Sequence, residues 1–267
     1  MNRYKLILCS VLFSAGLLSC SNDDETKDNP EPQTANVTVA LTDAPGDYEK
    51  VFVQVTDVMV KMQTEEDPVE GWQSLGNINE GKYDLLTLTG GKSQLLAETE
   101  LPPGHLKEMR LVLGGDNTIV VEGIPYNLTT PSAEQSGLKL MVDEEIEAGL
   151  EYNFVMDFNV EESVVETGSG KYILKPVIRL FLEQESGSIS GSVSPAEVQT
   201  LIEATDGTTT VTAYTDAEGD FELKGLPAGT YEVTVTPAPE SNFPILTYNN
   251  VNVVVGETTD MGQINID

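Results

Sequence analysis

The chain has 267 residues, room for one large domain or two ordinary ones. It carries 14 Lys and Arg against 44 Asp and Glu, a formal charge of −30, which excludes a general nucleic-acid binder because phosphate requires a basic face. One His (His105) and two Cys (Cys9 and Cys20) exclude Cys–His catalysis, thiolate zinc sites and a disulfide framework from everything after Cys20.

Residues 1–19 read as a signal peptide. Arg3 and Lys5 precede an apolar run from Leu6 to Leu18. That run has about the length of a signal-peptide core and falls short of the roughly 20 residues that span a bilayer. Its ending, Leu17-Leu18-Ser19-Cys20, resembles a bacterial lipobox. The resemblance implies cleavage before Cys20, loss of Cys9, and a palmitate-type acyl anchor on Cys20 that holds the protein to a membrane without spanning it. The alternative is a buried hydrophobic segment with an incidental Cys. Residues 20–35 then form an acylated, disordered tether, acidic and interrupted by Pro30 and Pro32. Its start, Ser21-Asn22-Asp23-Asp24-Glu25, resembles a surface-export signal of bacterial lipoproteins. The expected location is the outer membrane, facing the cell surface, with a periplasmic orientation as the alternative.

From Asn36 onward hydrophobicity alternates at period two, which predicts strands. Val37, Val39 and Leu41 share one face. Val51, Val53 and Val55 alternate, then the phase slips at Thr56-Asp57 before Val58, Val60 and Met62, which predicts a bulge in one long strand. Residues 85–101 hold room for one short helix or turn around Gln94–Glu98. Met109, Leu111 and Leu113 alternate, as do Tyr152, Phe154, Met156 and Phe158. Residues 172–182 are apolar on nearly both faces, which predicts a central strand, while Pro176 argues for an edge or bulge. The fold class expected is all-β, two β-sandwich-type domains behind a lipidated tether. A composition shift at Glu183–Gly187 places the boundary, giving domains over 36–185 and 186–267.

Two stretches resemble known families. GSISGSV at 187–193 and TDAEGDFELKGLPAGTYEVTVTP at 215–237 resemble a carboxypeptidase regulatory-like module, a transthyretin-like, carbohydrate-binding-like sandwich. Such modules carry no catalytic residues and act as spacers, supports or sugar contacts. LTDAPGDYEKVFVQVTDVMV at 41–60, WQSL at 72–75, DLLTL at 84–88, LPPGHLKEMRLVL at 101–113, PSAEQSGLKL at 131–140 and DFNVEESVVETGSGKYILKPVIR at 157–179 resemble a bacterial lipoprotein domain known as domain of unknown function 4382. His105 departs from that pattern, where the turn continues with Tyr. The resemblance implies a fold and a location and brings no catalytic residues.

The candidate chemistry is sparse. His105 is read as an aromatic substitute packing at a strand start, with a general base or metal ligand as the alternative. Asp216-Ala217-Glu218-Gly219-Asp220 is read as a turn, lacking the ligand spacing of a calcium loop. Trp72, with Tyr83, is a candidate sugar platform; the competing reading is a loop anchor over the core edge. Arg110, Lys139, Lys175 and Arg179 lie in strand patterns and are expected to pair with carboxylates, a basic ligand-binding cluster being the alternative. Asp43 and Asp157 are candidate calcium ligands, with Asn159 offering a further oxygen; the competing reading satisfies both carboxylates with backbone N–H groups and Arg or Lys. No other cofactor is expected.

No nucleophile or acid–base constellation is evident, so the function expected is non-enzymatic: a surface binding or adhesion module for a glycan or envelope protein. The alternative is a structural spacer with no small ligand. Cys20→Ala should release the protein from washed membranes into the soluble fraction, since acyl chains are its only expected anchor. A variant that still pellets with membranes contradicts the lipoprotein assignment.

Overall fold

A computed structural model describes residues 33–44, 46, 48–63, 71–130, 137–168 and 170–267. The expected signal peptide, Cys20 and nearly all of the expected tether lie outside them. The first strand, β1 (Ala35–Ala44), runs parallel to β10 (Glu151–Asn159), pairing Val37 with Tyr152 and Leu41 with Met156. These two are the inner strands of a four-stranded sheet, flanked by β5 (Gln94–Leu101) beside β1 and β13 (Ile178–Leu182) beside β10. Residues 94–98 are therefore strand, not the short helix or turn expected from sequence. The register of β5 on β1, interrupted by an irregularity at Val39/Ala40, buries Leu96 and Ala97.

The facing sheet has nine strands, built around β2 (Lys50–Gln63). One edge of β2 holds β3 (Gly71–Ser74) and β4 (Gly81–Asp84). Its other edge holds β6 (Gly104–Leu113) and then β7 (Thr118–Val121), which pairs β8 (Ile124–Thr129); β9 (Leu138–Ile146) lies outside β6. The phase slip read at Thr56-Asp57 is a register shift between Val55 and Asp57 against β6. It keeps Val53 and Val55 on the same inner face as Val58 and Val60. That face joins Val37, Val39, Leu41, Phe154, Met156 and Phe158 in one hydrophobic cluster. Burying a side chain of that size is worth roughly 1.5–3 kcal/mol.

Residues 172–182 do not form one central strand. After β11 (Val164–Glu166), β12 (Tyr172–Leu174) pairs within the nine-stranded sheet, whereas β13 is an edge of the four-stranded one. Pro176, without an amide hydrogen for a ladder, sits at the crossing. Ser163, fully buried at the end of the helical turn Val160–Ser163, holds the crossing in place. Its carbonyl accepts from Lys175 N at 2.8 Å and its Oγ accepts from Val177 N at 2.8 Å.

The remaining seven strands make a second sandwich with its own cluster, including Ile189, Ile202, Phe221, Tyr231, Val233 and Val235. One sheet orders β17 (Asp220–Leu226), β14 (Gly187–Ser194) and β20 (Thr258–Asn265). The other orders β16 (Thr210–Tyr214), β15 (Thr200–Thr205), β18 (Gly229–Pro237) and β19 (Leu246–Val253). The GLPAGTY phrase closes on itself: buried Tyr231 donates its hydroxyl to Pro227 O at 3.0 Å, so the ring packs without stranding a polar atom. In 216–220, Asp216 Oδ1 accepts from Glu218 N and Asp220 N at 3.1 and 3.0 Å, as turn chemistry requires. Because this cluster draws on no residue before Ile189, a fragment 187–267 should give a β circular-dichroism spectrum and melt cooperatively. A disordered spectrum would show that the first sandwich completes its core.

Candidate functional site

Trp72 does not anchor a loop. It lies in β3, opposite Lys61 of β2, and that pairing puts it on the outward face of the nine-stranded sheet, since Lys61 alternates with buried Val60 and Met62. Across β2, Met59 is opposite Arg110 of β6, and Arg110 is opposite Lys139 of β9. The guanidinium carbon of Arg110 stands 3.9 Å from the Trp72 ring centroid, and Lys139 Nζ stands 6.0 Å from it. Such cation–π contacts are worth about 0.5–2 kcal/mol, more when desolvated. Gly137 makes the stacking possible. It holds φ +71°, and a Cβ there would come within 2.5 Å of Arg110 Cγ. Tyr83, paired with Val53 at the other end of β2, takes no part.

The expectation that each strand cation pairs with a carboxylate is met by Arg179, which pairs with Asp157. Among the described residues, neither Arg110 nor Lys139 has a carboxylate within ion-pair distance, and Arg110 Nε is buried without a hydrogen-bond partner. The strands that carry these two cations are adjacent, which periodicity alone does not reveal. His105 also departs from its reading. Its half-exposed ring lies between Asp143 at 2.9 Å and Glu145 at 3.3 Å, both on β9, rather than packing as an apolar substitute.

A second polar cluster joins the two sandwiches. Asp157 and Arg179 are opposite each other on β10 and β13, facing outward from the four-stranded sheet. Arg179 donates to Asp157 Oδ2 at 2.8 Å and to the carbonyls of Lys224 and Gly225, each at 2.6 Å. Lys224 answers by donating to Gly91 O at 2.8 Å. Phe181 lies against Gly225, where φ is +67° and a Cβ would come within 2.4 Å of the ring. Only glycine satisfies both demands.

The two residues offered by the sequence as calcium ligands stand in different states. Asp157 commits one oxygen to Arg179. Asp43, at the end of β1 and 5% exposed, makes no well-formed hydrogen bond to a described residue on either oxygen, the Val160 amide being the donor that bears on it. Burial pushes its carboxyl well above the usual carboxylate range. The neighbouring charges of Asp157 and Asp84 push the same way, and the Val160 amide opposes them. Asn159 directs its Oδ1 to Glu162 N at 3.0 Å, capping the helical turn. Among the described residues no group of three or more His, Cys, Asp or Glu side chains is arranged to hold a metal ion.

Residues 34–176 match the family Domain of unknown function (DUF4382), and residues 188–266 match the Carboxypeptidase regulatory-like domain. No curated protein matches the chain. Among solved structures, the minor pilin GBS52 of Streptococcus agalactiae is 8% identical with a TM-score of 0.24, over 86% of this chain and 96% of that one. The shaft pilin SpaA of Lactobacillus rhamnosus GG is 9% identical with a TM-score of 0.25, over 88% and 99%. The Bacillus anthracis TIE protein is 11% identical with a TM-score of 0.23, over 88% of this chain, which spans 34% of that protein's length. Likenesses at these scores carry no argument about function.

The state of Asp43 is measurable. With its folded-state pKa raised, the folded protein holds a proton that the unfolded chain releases above about pH 4. Folding stability must therefore fall as pH rises from about 4 toward the raised value. Asp43→Asn, which cannot ionise, should lie closest to the parent below about pH 4. It should gain on the parent progressively as pH rises toward neutral, read from denaturant melts. A parent that instead gains on the variant as pH rises, or does so only with added calcium, would show an ionised, partnered Asp43.

Proposed function

The chain belongs to the DUF4382 family, and on that premise we propose that it is a non-enzymatic binding module of the cell envelope, held by an acylated Cys20 at the outer-membrane surface and engaging carbohydrate. Neither matched family is described by an activity. The observation that carries the reading is the face built by Trp72, Arg110 and Lys139. It is an aromatic ring with two cations that no carboxylate among the described residues pairs. This face lies on the nine-stranded sheet, on the side of the first sandwich turned away from Arg179 and the second sandwich. The seam thus leaves it open. An acidic tether and a charge of −30 suit a solvated, displayed protein that repels unrelated anionic surfaces.

A second reading, a spacer that assembles with envelope partners, is favoured by one feature. Strand β19 is a sheet edge, and Ile245, Tyr248, Val254 and Val255 near it are exposed. Free edges accept added strands.

The readings separate on intact cells. Cells displaying the protein should retain fluorescently labelled glycans that cells lacking it do not, and external protease should abolish the retention. Equal retention by both cell types, with crosslinks only to envelope proteins, would favour the spacer.

A further inference from the structure

We infer that the Trp72 face takes an anionic sugar, a uronic acid residue whose carboxylate sits between Arg110 and Lys139; this rests on the carbohydrate-binding reading and deepens it. The argument begins with charge. In a chain with 44 acidic residues, two register-paired cations with no carboxylate partner among the described residues are a departure from what charge balance favours. Nearby Lys61, on the same face, is 3.6 Å from Glu108 and so belongs to an ion pair. A planar guanidinium with an ammonium beside it matches one carboxylate: the guanidinium can donate two parallel bonds and the ammonium a third.

The face is also formed in advance. The Trp72 ring and the space left at Gly137 fix the Arg110 side chain, so little rotamer freedom remains to be lost on binding. Its buried, unpartnered Nε shows that the side chain is placed by stacking rather than by a polar partner of its own.

The surroundings select the kind of anion. At this level β2 is paired on both edges and β6 lies between β2 and β9, so Met59 and Arg110 project from the sheet interior, while Trp72 on β3 and Lys139 on β9 stand on the outer strands beside them. An acidic peptide added as a strand beyond β3 or β9 would lie beside this face rather than across it. Densely charged polymers such as nucleic acid would meet the surrounding carboxylates at every repeat. A sugar acid brings one charge per ring, with C–H surface for Trp72 and exposed Met141.

Trp72 is the chain's single tryptophan, so its fluorescence reports the site directly. The full-length lipoprotein in detergent is titrated with trigalacturonate, with maltotriose as the neutral control and sodium acetate at matched ionic strength as the free-anion control. Trigalacturonate alone should change the emission saturably. Lys139→Gln and Arg110→Gln should each weaken half-saturation roughly tenfold or more. Lys139 is exposed, so its variant keeps the test valid if Arg110→Gln loses its fold by circular dichroism. No emission change, an equal change with maltotriose or acetate, or an unaltered titration in Lys139→Gln would overturn the site. Glycan retention on cells that persists unchanged in Lys139→Gln would also overturn it, while leaving the carbohydrate-binding reading standing. Loss of all retention by the parent would remove that reading itself.

Discussion

The imbalance of 14 cations against 44 carboxylates is the constraint on which the rest of this structure depends, because it makes the position of each cation consequential. Arg179 is used where a carboxylate and two carbonyls must be satisfied together at the junction of the two sandwiches. Its side chain is largely shielded, and its removal would leave Asp157 and those carbonyls without their partner. Lys224 bonds back across the same junction. Two separate hydrophobic clusters are thereby joined through polar groups, with Phe181 seated against Gly225 as the apolar contact between them.

Much of this was legible in the sequence where one periodicity dominates. The alternation of Val37, Val39 and Leu41, the slip at Thr56-Asp57 and the face from Tyr152 to Phe158 all follow from side chains pointing to opposite sides of a strand in turn. The pattern misled where an apolar run crossed between sheets. Residues 172–182 read as one strand, yet the chain changes sheet around Pro176. Residues 94–98, read as room for a short helix or turn, are strand because pairing with β1 decides their conformation.

The candidate sites were legible only in part, because alternation says which residues share a face and not which strands are neighbours. Trp72, Arg110 and Lys139 come from three strands, and their meeting depends on the order β3, β2, β6, β9. Gly137 gave no signal of its own, since a glycine before a strand reads as a turn. At the junction, Asp157 in an apolar strand did signal a need for a partner, and Arg179 meets it. Asp43, read from its place in the turn closing the first strand, carried no such signal; it is buried, no described cation pairs with it, and burial raises its carboxyl.

The account's central claim is that Arg110 and Lys139, which no carboxylate among the described residues pairs, form a place for an external one. A crystal structure of the protein soaked with trigalacturonate tests this most directly. The account predicts a carboxylate within hydrogen-bond distance of both Arg110 and Lys139, with the sugar ring beside Trp72. Density for the sugar elsewhere, or Arg110 and Lys139 engaged instead by a carboxylate of the protein itself, would contradict it.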